Sequence, residues 1–163
     1  MQPEIQKIWS LLQEVPDPEV PVLSVVDLGV VRDIKLQEGQ VAIWITPTYS
    51  GCPAVEAINM DIRLKLIEQG YQQVVIHQVL SPAWTTEWMS PAGKEKLKAY
   101  GIAPPHPVQV VCDTTLFGQE EAVQCPLCNS YHTQLVSRFG STACKALYKC
   151  LACQEPFDYF KCH

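Results

Sequence analysis

Two pairs of cysteines constrain this chain more than any other feature. They are Cys125-Pro126-Leu127-Cys128 and Cys150-Leu151-Ala152-Cys153, with residues 129–149 between them. Each pair has C-x2-C spacing. Two thiolates three positions apart on a tight turn can occupy two corners of a tetrahedron, and a second such turn closes it. This spacing predicts a zinc ribbon or rubredoxin-like knuckle pair, with Cys125, Cys128, Cys150 and Cys153 as metal ligands. A closed four-cysteine site in a small unit favours structural Zn2+. The same thiolates would also suit a rubredoxin-type iron or an iron–sulfur cluster.

The surrounding sequence narrows the use of such a ribbon. The net charge is −5. A surface that binds nucleic acid through phosphates is basic, so no nucleic-acid partner is expected. The opening residues Met1-Gln2-Pro3-Glu4-Ile5 lack the basic and apolar regions of an export signal. No apolar run has the length of a membrane span, so no membrane association is expected. A cytoplasmic setting follows, where paired cysteines bind metal more often than they form disulfides.

Of the eight cysteines, only Cys52 precedes residue 112. The segment Ala103-Pro104-Pro105-His106-Pro107 cannot continue a helix and predicts a linker. Two domains are therefore expected, residues 1–104 and 105–163. The first reads as α/β (α+β), a small three-stranded sheet with helices on one side. Residues 4–15 and 53–69 carry apolar stripes at helical spacing, and residues 90–100 form a shorter helix. Residues 30–36, 41–46 and 73–80 read as strands, the first two joined by a turn at Glu38-Gly39. The second domain reads as a small zinc-ribbon-like β unit with strands near 134–139, 146–149 and 157–161. It is too small to bury an adequate core alone, and a metal would supply the missing stability.

Cys52 lies in Thr46-Pro47-Thr48-Tyr49-Ser50-Gly51-Cys52-Pro53, at the expected N-terminus of the longest helix. A helix N-terminus stabilises a thiolate, so Cys52 is either a reactive or metal-handling cysteine or a buried structural one. Asp17 and Glu19 read as turn residues, with proximity to Cys52 as the alternative. His77 reads as a packed strand residue. Cys112 and Cys144 read as core cysteines. A second metal site on Cys144, Cys162 and His163 is the alternative for those three. No motif activates water, oxygen or a carbonyl, and no glycine-rich phosphate loop is present, so intrinsic catalysis is not expected.

Three segments of the first domain resemble a known family. Asp17-Pro18-Glu19-Val20-Pro21-Val22-Leu23-Ser24-Val25-Val26-Asp27-Leu28-Gly29, the segment from Thr46 to Pro53, and Ser81-Pro82-Ala83-Trp84-Thr85 are similar to signatures of the small iron–sulfur cluster assembly-factor domain. The stretches Phe139 to Cys150 and Glu155 to His163 resemble the D component of the bacterial phenylacetyl-CoA ring epoxidase, a family that joins that domain to a zinc-ribbon-like tail. The resemblance implies a mixed three-stranded sheet and an accessory role in aerobic phenylacetate catabolism. It implies partners among the other epoxidase components or the iron–sulfur assembly machinery. It places the family's signature cysteine at Cys52, where iron or an iron–sulfur cluster would sit transiently. Two other roles stay open: a structural scaffold of the oxygenase complex, and an electron-transfer component with iron on the ribbon cysteines. A homodimer is compatible with the sequence.

Overall fold

A computed structural model describes residues 2–106 and 122–161. The chain divides into two compact units, Met1–Gly93 and Lys94–His163. No helix among the described residues is long and apolar enough to cross a membrane.

The first unit begins with helix α1 (Pro3–Leu12), where proline sits in the first turn without losing a needed hydrogen bond. Ile8 and Leu12 are fully buried. A hairpin follows, β1 (Val31–Gln37) and β2 (Gln40–Ile45). Glu38 and Gly39 both have positive φ, 49° and 83°, which is the twist a two-residue hairpin turn requires. Helix α2 (Ala54–Glu68) then crosses over to β3 (Gln73–Gln78). The sheet order is β1-β2-β3, antiparallel then parallel, so the three-stranded sheet is mixed as expected.

Val41, Ile43 and Ile45 are fully buried, whereas Ala42 and Trp44 point to the other, open face. Val55, Ile58, Ile62 and Leu66 of α2 supply the facing core. A β-bulge interrupts β1: Val31 pairs with Ile45 and Asp33 with Trp44, leaving Arg32 as the extra residue. Arg32 and Asp33 are consequently both exposed.

The three resemblance-bearing segments fall on the turns of this unit, and two of them are stitched together. Trp84 Nε1 donates to the Leu28 carbonyl at 2.9 Å. The Ser90 backbone N–H donates to the Asp27 carbonyl at 2.8 Å. The Ser90 hydroxyl donates to Asp27 Oδ1 at 3.0 Å. Gly29, at φ 73°, lies so close that a Cβ there would sit 2.3 Å from the Trp88 carbonyl oxygen. Only glycine fits both the dihedral and the space.

The second unit contains most of α3 (Pro91–Tyr100), the two-residue strand β4 (Ile102–Ala103), β5 (Thr133–Ser137), β6 (Lys145–Cys150) and β7 (Pro156–Phe160). Its sheet runs β4-β7-β6-β5, with β4 parallel to β7 and the other pairs antiparallel. Ala103, first residue of the proline-rich segment, is already in this unit's core. It packs with Val123, Cys125, Tyr148, Cys150 and Phe157. The second unit therefore begins ahead of the prolines.

Candidate functional site

The two C-x2-C turns are built alike. In the first, the Asn129 N–H donates to the Cys125 carbonyl and the Cys125 N–H to the Ser130 carbonyl, each at 2.9 Å. In the second, the Cys150 N–H donates to the Glu155 carbonyl at 2.9 Å. The residue after each pair, Asn129 and Gln154, has positive φ, 62° and 67°. This left-handed residue turns each loop back so that both of its sulfurs face the other loop.

The four sulfurs lie within 4.8 Å of one another. Cys125 Sγ is 3.8 Å from Cys153 Sγ, and Cys128 Sγ is 3.5 Å from Cys150 Sγ. A tetrahedral ion with metal–sulfur bonds of ~2.3 Å sets its sulfurs about 3.8 Å apart. The donor set therefore fits a metal ion of zinc or iron size with little rearrangement. Cys125 and Cys150 are buried, Cys153 is half-buried and Cys128 is exposed. The Cys153 backbone N–H, directed at the Cys150 sulfur at 3.5 Å, leads in drawing the Cys150 thiol down to about 7. At Cys153 the Glu155 backbone N–H acts in the lowering direction. Burial and the crowding by Cys150, Cys128 and Cys125 outweigh it and push that thiol up to about 12. Four thiols this close cannot all ionise alone; a cation among them removes the conflict.

Cys52 stands in the turn before α2. Its N–H donates to the Tyr49 carbonyl at 3.2 Å, and its own carbonyl accepts from the Val55 N–H at 3.3 Å. Gly51, at φ 75°, lets the chain reverse there. Pro53 is the helix cap, one position earlier than the first-turn placement expected from the sequence. Cys52 is half-buried and free, neither sealed in the core nor in a disulfide.

Asp17 serves a turn: its Oδ1 accepts from the Glu19 and Val20 N–H groups at 2.9 and 2.7 Å. Cys144 is buried, 3.0 Å from the Thr142 hydroxyl, and stands outside the four-cysteine cluster. Cys112, Cys162 and His163 lie outside the described residues. His77 is exposed and stacks on Trp44, with ring centroids 4.9 Å apart, so it is not the packed residue expected. Sequence reasoning also missed Asp27 and Arg32. Only the tertiary pairing of Asp27 with Ser90, and the bulge at Arg32, single them out.

Two family models match separate parts of the chain. Residues 5–72 match the family model "Iron-sulfur cluster assembly protein". Residues 110–161 match "PaaD zinc beta ribbon domain". The crystal structure of a DUF59 domain from Bacillus anthracis is similar, with 30% identity and a TM-score of 0.53, over 56% of this chain and 89% of that one. The "Fe-S protein maturation auxiliary factor" of Porphyromonas gingivalis (strain ATCC BAA-308 / W83) is 34% identical, over 52% of this chain and 82% of its own length. The Escherichia coli (strain K12) protein named as the D component of a "Putative 1,2-phenylacetyl-CoA epoxidase" is 51% identical over 98% of this chain and 94% of its own. With that similarity running through both units, this chain belongs to the family of phenylacetyl-CoA epoxidase D components.

Proposed function

We propose that this chain is an accessory subunit of a multicomponent phenylacetyl-CoA epoxidase in the cytoplasm, and that it assists maturation of an iron or iron–sulfur centre in that system. The observation that carries this reading is Cys52. It is a free, half-buried thiol on a sharp turn, inside a domain matching the iron–sulfur assembly family. A single thiolate leaves most of an iron's coordination positions open, which suits a cargo that must be handed on. In this reading, Cys125, Cys128, Cys150 and Cys153 hold a structural Zn2+. The ion would replace the apolar burial a unit of this size lacks, and the ribbon would dock on the client protein.

The test is assembly of the epoxidase in cells carrying Cys52→Ser. We expect the oxygenase and reductase components to be made in normal amounts with reduced iron content. The fold of the variant should stay within about 0.5 kcal/mol of the parent, because the thiol is not part of a packed core. Normal iron occupancy and normal ring epoxidation in that strain would refute the role of Cys52. Such a result would leave the scaffold reading in its place.

A further inference from the structure

The open face of the first sheet carries a cleft of about 330 Å3, lined by Arg32, Asp33, Lys35, Trp44, Pro82 and Trp88 among others. A sheet face turned to solvent ordinarily presents polar residues, so two half-buried indoles bordering one cleft are unusual. The volume is at the lower end of small-molecule sites. The bulge in β1 turns Arg32 toward this cleft.

The charges are arranged unevenly. The Arg32 guanidinium carbon lies 3.6 Å from the centroid of the Trp88 ring. Its one hydrogen bond is long, 3.5 Å to the Gly29 carbonyl. No carboxylate pairs with it among the described residues. Lys35 Nζ lies 4.9 Å from the Trp44 centroid and 3.9 Å from Asp33 Oδ2. The one carboxylate of the cleft, Asp33, thus faces Lys35, and the Arg32 guanidinium is held against an indole in a protein of net charge −5. Stacked arginine keeps its N–H edge free for a carboxylate or phosphate; with His77 against Trp44 and Arg32 against Trp88, a flat ring would meet the two indoles edge-on.

We infer that this cleft binds a small molecule in which an aromatic ring carries an anionic group. The ring lies against Trp44 and Trp88, and the anion is held by Arg32 with Lys35 beside it. An aryl carboxylate and a nucleotide share this chemistry. The site is independent of Cys52 and of the four-cysteine cluster.

The experiment titrates the zinc-loaded full chain and follows the four indole N–H resonances by NMR. The probes are phenylacetate and AMP, with inorganic phosphate and benzyl alcohol as the two halves of the ligand. Saturable shifts of Trp44 and Trp88, with Trp9 and Trp84 unmoved, are expected from phenylacetate, AMP or both. Saturation by one alone assigns the source of the anion. Each half-ligand should bind at least about tenfold more weakly, and Arg32→Gln should weaken binding by a similar factor. If Arg32→Gln disturbs folding, Lys35→Gln carries the comparison, since its side chain is more than half exposed. No saturable shift up to about 10 mM of either probe overturns the inference. So does undiminished binding by the folded variant, or inorganic phosphate binding as well as AMP.

Discussion

Gly29→Ala separates the packing of the first unit from backbone strain alone. At φ 73° an alanine costs about 1–2 kcal/mol by itself. Its Cβ would also lie 2.3 Å from the Trp88 carbonyl oxygen and 2.7 Å from the carbonyl carbon. Those atoms are backbone and cannot rotate aside, so the 84–90 segment must move outward by about 1 Å. That displacement breaks the Trp84–Leu28 bond and the two Ser90–Asp27 bonds, worth about 1 kcal/mol each. The expected loss is about 4 kcal/mol, a large part of the stability of an ordinary domain. Gly39→Ala is the matched control: φ is 83°, but nothing lies within 4 Å of its Cβ. It should lose only the conformational part. All four tryptophans, Trp9, Trp44, Trp84 and Trp88, lie in the first unit, so urea unfolding followed by tryptophan fluorescence reads this unit selectively. If the two variants lose the same stability within about 0.5 kcal/mol, the stitched-turn argument is wrong.

Three further outcomes concern the second unit. Purified protein should carry one zinc per chain, and either a strong chelator or Cys150→Ser should abolish the β-sheet signal of this unit in far-ultraviolet circular dichroism; a retained sheet refutes the structural role of the metal. Acid should release the ion, because each ligand must stay deprotonated. In the metal-free cluster Cys150 is drawn down to about 7 and Cys153 pushed up to about 12, so the ion must displace a proton from the raised thiol and binding strengthens as pH rises. Metal retention is therefore complete at alkaline pH and lost as pH falls below neutrality, which a colour-forming chelator can follow; loss on raising the pH would reverse the sign. Gln154→Gly should stabilise the metal-loaded unit by about 0.5–1 kcal/mol by relieving a left-handed glutamine, measured as a shift in its unfolding midpoint; a destabilised variant contradicts the strain.

Much of the first unit is legible because its signals are local. The Val41-Ala42-Ile43-Trp44-Ile45 alternation marks a strand with one buried face. Gly39 marks the hairpin, and Val55, Ile58, Ile62 and Leu66 mark the core face of α2. The cysteine pairs are legible for the same reason, since each loop encodes its own ligand spacing. Features that depend on distant partners are not. The bulge at Arg32 exists only against β2, and no spacing in β1 betrays it. β4 is two residues long, too short for any periodicity, and is a strand only because β7 lies beside it. The link from Asp27 to Ser90 spans sixty-three positions and is made by a side-chain carboxylate that reads locally as a turn residue.

The pairing of β4 with β7 bears on how the second unit closes. The strand that opens the second unit finds its place only beside the strand that closes it. All four cysteines of the cluster precede Pro156, where β7 begins. β4 therefore gains its hydrogen-bonded neighbour only from the segment that follows the second cysteine pair, and the cluster and the strand that holds Ile102 and Ala103 are encoded one after the other. A chain ending after Gln154 would keep all four cysteines yet lose both the strand beside Ile102 and Ala103 and the Glu155 carbonyl that anchors the second cysteine turn.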